Sequence, residues 1–105
     1  MKTKGKYILK GHKPVLETDL LKWAEWFETA NRHVGDTKVG KYRVSTIFLG
    51  LDHNFFGGKP ILFETMIFGG KYDKDEYQVR YSTWEEAEKG HKKAVNQLPK
   101  SKEAV

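Results

Sequence analysis

Cysteine is absent from the chain, so disulfide bonds, thiolate metal sites and cysteine nucleophiles are all excluded. A long apolar run is also missing, because no stretch approaches the roughly 20 residues of a membrane-spanning helix. The first residues, Met1 to Lys6, are charged and lack the following apolar segment of a signal peptide. These absences predict a cytoplasmic protein with no membrane partner.

Arginine is scarce, since only Arg32, Arg43 and Arg80 occur and they lie in three separate segments. Proteins that read duplex DNA usually present arginine on one rigid basic face, where it contacts base edges. Although the chain has a formal net charge of +5, this scattering makes nucleic acid a disfavoured partner.

The positive charge is concentrated towards the two ends of the chain. Residues 1–13 and residues 89–105 hold five lysines each, whereas residues 14–88 have nine basic and thirteen acidic side chains. We therefore expect flexible basic ends at 1–5 and 99–105. If the protein contacts nucleic acid at all, the predicted contact is a non-specific one through these lysine-rich ends.

The length of 105 residues predicts a single domain spanning 1–105, with no room for a second core. The periodicity predicts an α+β fold in the order β-α-β-β-β-α, in which a small antiparallel sheet is packed with two helices. The predicted elements are strands at 6–9, 42–51, 61–68 and 77–82 and helices at 19–33 and 82–98.

Both helices have signals at their starts. Thr18 precedes the first helix and is expected to cap it. The second helix opens with two alternative capping boxes, which are Ser82 with Glu85 or Thr83 with Glu86.

The two central strands are apolar on both of their faces. A sheet with one face in water would alternate more cleanly between apolar and polar residues. We therefore expect two helices on one face of the sheet and a second copy of the chain, or another partner, on the other face. The alternative is that one helix covers each face of the central hairpin.

Two titratable residues follow the first central strand. Asp52 and Asn54 are typical turn formers, but turn formation does not explain His53, whose ring titrates near physiological pH. The next glycines, Gly57 and Gly58, allow the phosphate of a ligand to come close to backbone amides.

Glu64 lies in an apolar row between Leu62 and Met66. Burial of a bare carboxylate is unfavourable, so this side chain is expected to have a partner or a function. Its two interpretations are an ion pair with Arg43 or Arg80 on a neighbouring strand, and a ligand contact or general base.

The sequence also brings Arg80, Tyr81 and Trp84 together where the last strand meets the last helix. A helix N-terminus attracts anions and an aromatic ring stacks on nucleotide bases, so this junction predicts a site for a nucleotide-like ligand. The alternative is that Trp84 only packs the helix onto the sheet, while Ser82 only caps it.

His91 lies seven residues after Trp84, which places it on the core-facing side of the last helix. It is either a core histidine bonded to a backbone carbonyl or the partner of Glu64 above the sheet. Gly90 beside it lowers helix propensity by about 1 kcal/mol, which indicates that another group packs closely against this turn.

Asp52, His53, Glu64 and His91 have donor atoms suitable for a metal ion. However, no two of them have the i, i+4 spacing of a helical ligand pair. The chain also lacks HExxH, EF-hand, P-loop and dinucleotide-binding patterns. No metal and no cofactor are therefore predicted.

Three blocks of the sequence, TIFLGLDHNF, PILFETMIFGG and YSTWEEAEKGH, resemble a family of small proteins found in bacteriophages and bacterial genomes. The resemblance spans about residues 44–95. The family has no assigned activity, so the resemblance transfers no catalytic residue. It implies a small accessory protein in a bacterial cytoplasm, a setting in which such proteins often inhibit or sequester host proteins.

The sequence thus favours a non-enzymatic binding protein that forms a homo-oligomer and engages a host protein or an anionic, nucleotide-like ligand. The candidate ligand-binding residues are Asp52, His53, Glu64, Arg80, Tyr81, Trp84 and His91. One alternative is a small metal-assisted hydrolase that uses Glu64 with His53 or His91 as acid–base groups. The other alternative is a nucleic-acid-associated protein that works through its lysine-rich ends.

Overall fold

A computed structural model describes residues 5–99 of the chain. The predicted α+β class is confirmed, because these residues form two antiparallel sheets and two helices. The elements are β1 (Tyr7–Lys10), β2 (Lys13–Leu16), α1 (Leu20–Thr29), β3 (His33–Val39), β4 (Tyr42–Phe48), β5 (Phe63–Phe68), a short 3-10 helix (Gly70–Asp73), β6 (Tyr77–Tyr81) and α2 (Trp84–Asn96). The predicted basic ends lie outside the described residues, apart from Gly5 and Pro99.

The first strand belongs to a β-hairpin that the sequence pattern did not predict. β2 pairs with β1 from Tyr7 opposite Leu16 to Lys10 opposite Lys13. Gly11 and Pro14 suggested that no strand follows β1. However, β2 pairs only with β1 and is therefore an edge strand, where proline is tolerated. Gly11, with a φ of 62°, provides the tight turn between the two strands.

The first helix is shorter than predicted, and its cap is Asp19 rather than Thr18. The Asp19 carboxylate accepts hydrogen bonds from the amides of Leu21 and Lys22 at 3.0 and 3.2 Å. The helix ends at Thr29, residues 30–32 are irregular, and β3 begins at His33 and pairs along β4. Pairing with β4 satisfies the backbone of this segment, so the helical prediction up to residue 33 is wrong there.

The main sheet has four antiparallel strands in the order β3-β4-β5-β6. One face is packed against α2, where Ala87 and Ala94 are fully buried. α1 contacts mainly β1 and reaches this face through Trp26, whose ring lies edge-on to Phe48 at 5.7 Å. A single helix therefore spans the face that was expected to hold two.

The opposite face of the main sheet carries the second alternation set of β4 and β5. Ile47 and Met66 are half-buried there, and Phe68 is 43% exposed. Neither helix within residues 5–99 packs on this face, so the alternative of one helix on each face is wrong. Association of copies through it stays a prediction. Neither helix of the described segment is long and apolar enough to cross a membrane.

Candidate functional site

The loop between β4 and β5, residues 49–62, is held at its base by Asp52. One carboxylate oxygen of Asp52 accepts hydrogen bonds from the amides of Asn54 and Ile61 at 2.8 and 2.9 Å. The arms of the loop stay paired, because Leu49 N–H donates to the carbonyl of Leu62 at 2.7 Å. Asp52 therefore organises the loop, as its turn chemistry predicts.

His53 lies next to Asp52, but its ring is turned towards the backbone of Leu51, two residues earlier. Its Nδ1 lies 2.8 Å from the carbonyl oxygen of Leu51, and its ring is 6.2 Å from the ring of Phe55. The tip beyond it is the least covered part of the loop, since Phe55 is 81% and Phe56 is 100% exposed. These two rings were not predicted as functional residues, because their segment was assigned to the turn between two strands.

Glu64 is paired, as one of its two interpretations predicts. Nε of Arg80 on β6 donates to its carboxylate at 2.9 Å, and the residue is 8% exposed. The other candidate, Arg43, instead forms a bidentate pair with Asp36 on β3, at 2.9 and 2.8 Å. Both pairs lie on the face of the sheet that α2 leaves open.

His91 joins α2 to four strands through side-chain hydroxyl groups. Its Nδ1 lies 2.8 Å from Oγ1 of Thr46 and its Nε2 lies 2.9 Å from Oγ1 of Thr37. Thr46 is hydrogen-bonded in turn to Thr65, and the Tyr81 hydroxyl donates to Thr65 at 3.1 Å. The core interpretation thus fits its place in the fold, although its partners are threonine hydroxyls rather than a backbone carbonyl.

Both ring nitrogens of His91 bond to threonine hydroxyl groups. A hydroxyl group can donate or accept, so the neutral imidazole is satisfied at both nitrogens in either tautomer. Burial lowers the pKa of His91 below its ordinary value of 6.5, and the opposing effect of Asp36 is weaker, so the ring is neutral at pH 7.

Two glycines leave space for the hydrogen-bonded side chains of His91 and Tyr81. A Cβ atom on Gly90 would lie 2.1 Å from the Tyr81 hydroxyl oxygen, and one on Gly35 would lie 2.7 Å from Nε2 of His91. The close packing that Gly90 indicates in the sequence is therefore the approach of Tyr81 to α2.

The acid–base groups of the predicted hydrolase do not come together. His91 faces Thr46 and Thr65 on the α2 side of the sheet, whereas Glu64, the neighbour of Thr65, points to the opposite side. His53 lies in the loop, bonded to the carbonyl oxygen of Leu51. Within residues 5–99 there is also no group of three histidine, aspartate or glutamate side chains that could hold a metal ion.

An open pocket of about 460 Å³ lies between the β1–β2 turn and the start of α2. Lys10, His12, Lys13 and Pro14 line it from the hairpin, and Thr83, Trp84 and Glu85 line it from the helix. A second pocket of about 310 Å³ shares Lys13, Pro14 and Thr83 with it, so the two adjoin. We call the first of these the α2 pocket.

The start of α2 is organised by the second of the two predicted capping boxes. The Thr83 hydroxyl accepts from the amide of Glu86 at 3.1 Å, and the Glu86 carboxylate accepts from the amides of Thr83 and Ser82 at 3.0 and 3.2 Å. The amides of Trp84 and Glu85 belong to the first turn, where a helix carries donors without intrahelical partners. This end of α2 favours negative charge.

The indole ring of Trp84 forms one wall of the α2 pocket. The imidazole of His12 stacks on it with ring centroids 3.8 Å apart and planes inclined by 4°. Its other neighbour is Phe63, whose ring lies edge-on at 6.3 Å. The indole N–H is buried and has no hydrogen-bond partner, which is the only such side-chain atom among the described residues.

Of the predicted residues at the strand–helix junction, Trp84 alone lines the α2 pocket. Arg80 points to the open sheet face, where it binds Glu64, and Tyr81 sends its hydroxyl into the core. The cations at the pocket are Lys10 and Lys13, which the sequence analysis counted only as part of a basic end. The two lysines flank Gly11, which indicates a basic turn, but the sequence does not indicate which helix that turn contacts.

Comparison with known protein families, curated proteins and solved structures found no match to this chain.

Proposed function

We propose that this protein is a binding module that holds an anionic ligand with a planar ring, such as a nucleotide, in the α2 pocket. The observation that carries the proposal is the meeting of two lysines, a stacked imidazole–indole pair and a helix N-terminus at one concave site. Sequestration of such a ligand is consistent with the accessory role that the resemblance to phage and bacterial proteins implies.

The charges at the pocket favour an anion. Lys10 and Lys13 supply two positive charges, and Glu85 is the one acidic side chain in the lining. The N-terminus of α2 adds a partial positive charge through its aligned peptide dipoles. A phosphate group between the hairpin turn and the first turn of α2 would therefore be attracted by the two lysines and by the first-turn amides, against the carboxylates of Glu85 and Glu86 in the same turn.

The aromatic wall favours a planar group on the same ligand. Bases stack on aromatic side chains with about 1–3 kcal/mol per base. The exposed imidazole of His12 already occupies one face of Trp84, so the ligand ring either stacks on His12 or takes its place. The unpaired indole N–H supports a polar ligand, since an acceptor that reached it would satisfy a buried donor.

Isothermal titration calorimetry with ADP, adenosine and pyrophosphate tests the proposal. We expect ADP to bind more tightly than either adenosine or pyrophosphate, because only ADP uses the ring wall and the cations together. Lys10→Gln combined with Lys13→Gln should weaken ADP and pyrophosphate by about tenfold or more, since charge-assisted hydrogen bonds are lost. Trp84→Leu should weaken ADP but leave pyrophosphate almost unchanged.

The matched control is Lys38→Gln combined with Lys74→Gln, which removes two exposed lysines away from the pocket. This pair should leave the affinity for ADP unchanged apart from a small screening effect. Absence of ADP and pyrophosphate binding, or equal losses in the pocket pair and the control pair, would show that the proposal is wrong.

A second copy of the chain is the partner that we propose for the open sheet face. Ile47, Met66 and Phe68 lie there, and the ion pairs formed by Arg43 and by Arg80 give the face charges of both signs. A twofold arrangement would bring opposite charges of the two copies together around the apolar residues. Light scattering over a dilution series tests this, and Ile47→Lys should shift the protein to monomer; a wild-type monomer at all concentrations would contradict it.

A further inference from the structure

The tip of the β4–β5 loop carries the two most exposed large apolar side chains of the described residues. Phe55 is 81% exposed and Phe56 is 100% exposed. Gly57 and Gly58 follow them with φ values of 85° and 95°. Residues 55–58 therefore consist of two phenylalanines and two glycines and present no polar side chain. Two adjacent exposed phenyl rings form an apolar patch of the kind that marks an interaction surface.

The rings project from a fixed base. Besides the bonds to Asp52, the Asn54 side chain donates to the carbonyl of Lys59 at 2.8 Å and accepts from the amide of Phe56 at 3.2 Å. Asn54 thus bridges the two sides of the tip. A preorganised tip loses little conformational freedom when it inserts into another phase.

Positive charge lies beside the tip. Lys59 directly follows the two glycines and is exposed, and it lines the second pocket together with Lys13. The amide of Asp52 donates to the carbonyl of Gly5 at 2.8 Å, and Lys6 forms an isolated β-bridge with Leu51, so the backbone of a second lysine joins the base of this loop. The carboxylate of Asp52 is already engaged by two backbone amides.

We propose that this tip docks the protein onto the surface of an anionic phospholipid bilayer. The rings of Phe55 and Phe56 enter the boundary between headgroups and acyl chains, and Lys59 lies against the headgroup phosphates. An apolar tip with nearby lysines combines the two attractions that hold peripheral proteins on anionic membranes.

The exposure of the rings favours insertion over stacking on nucleic-acid bases. A stacking platform has one ring face supported by the protein, whereas Phe56 is covered on no side. No membrane partner was predicted from the sequence, because no apolar run in it is long enough to span a bilayer. Surface docking through a loop tip requires no such run.

Co-sedimentation with lipid vesicles tests the proposal on the full chain. We expect binding to vesicles of phosphatidylcholine and phosphatidylserine in equal amounts, and much weaker binding to phosphatidylcholine alone. Phe55→Ala combined with Phe56→Ala should lower the partition coefficient at least about tenfold, because two rings no longer enter the apolar boundary. Phe55→Trp combined with Phe56→Trp should preserve binding, since tryptophan is favoured at this depth.

The matched control replaces two exposed leucines outside the tip, Leu16→Ala with Leu21→Ala, which are 50% and 70% exposed. This variant should bind as the wild type does, and circular dichroism should show that both double variants keep the native fold. Equal binding of the tip variant and the wild type overturns the proposal. So does absence of wild-type binding to anionic vesicles. Because the α2 pocket is intact in the tip variant, ADP titration of that variant separates this proposal from the proposed function.

Discussion

Replacement of Gly90 by alanine tests how closely Tyr81 packs on α2. Gly90 lies inside the helix, where alanine is normally the better residue. A Cβ at this position would lie 2.1, 2.3 and 2.5 Å from three atoms of the Tyr81 side chain, which are its hydroxyl oxygen and two ring carbons. The whole ring of Tyr81 must therefore move.

The magnitude follows from three opposing contributions. Alanine in place of glycine stabilises a helix interior by about 1 kcal/mol. Overpacking costs about 1–3 kcal/mol, and loss of the hydrogen bond from Tyr81 to Thr65 costs about 0.5–1.5 kcal/mol. We expect a net decrease of about 0.5–3.5 kcal/mol in the free energy of unfolding, opposite in sign to helix propensity.

Urea unfolding followed by far-ultraviolet circular dichroism measures this free energy. The midpoint should fall while the m-value stays constant, because the surface exposed on unfolding hardly changes. In a Tyr81→Val background the steric conflict is gone, so Gly90→Ala should there stabilise the protein by about 1 kcal/mol. Stabilisation by Gly90→Ala in the wild-type background would refute the reasoning.

Three further predictions concern the buried and half-buried polar groups. The free energy of unfolding should fall as pH drops from 6.5 through the lowered pKa of His91, because the unfolded chain then binds a proton that the folded chain excludes. The fall should be smaller in His91→Gln, and equal pH profiles of the two proteins would contradict a neutral, buried His91. Arg80→Met should cost about 1–3 kcal/mol near neutral pH by leaving the Glu64 carboxylate without its cation, and a Glu64→Gln change in that background should recover most of it in urea unfolding. Asp52→Ala should cost about 1–2 kcal/mol and speed hydrogen exchange at the Ile61 amide, and unchanged exchange there would count against its role in the loop.

The elements that the sequence predicted well are those whose signals are local. The last helix has its capping residues, apolar stripe and terminating proline within a few turns, and α2 begins at the predicted place. The last three predicted strands either alternate between apolar and polar residues or are bounded by turn residues. β4, β5 and β6 all form within the predicted ranges. Such patterns depend on neighbours along the chain, so they can be read without the fold.

The segment His33–Val39 shows where local signals fail. The first helix was predicted to end at residue 33 and no element was predicted between it and the strand at 42, but the segment forms β3 on the edge of the main sheet. The pairing with β4 that decides this is a contact between separate segments. Helix propensity is too weak to oppose such a tertiary preference.

The candidate site divides in the same way. The sequence indicated that Trp84 and a helix N-terminus would lie together, since they are adjacent in the chain. It did not indicate that Lys10 and Lys13 would face them, because more than seventy positions separate these lysines from Trp84. It also left open which arginine would bind Glu64, and the strand register decided this, because Arg80 lies directly opposite Glu64 whereas Arg43 lies opposite Phe68.

The sequence by itself determined the α+β class, the main strands and the second helix, and it indicated that Gly90 and Glu64 needed close partners. Only the tertiary structure decided which groups those partners are, that Glu64 and His91 lie on opposite sides of the sheet, and that a basic hairpin meets the start of α2. The physical reason is that periodicity and capping are encoded over a few residues. Strand pairing and the meeting of distant charges depend on free-energy differences that only the complete packed chain defines.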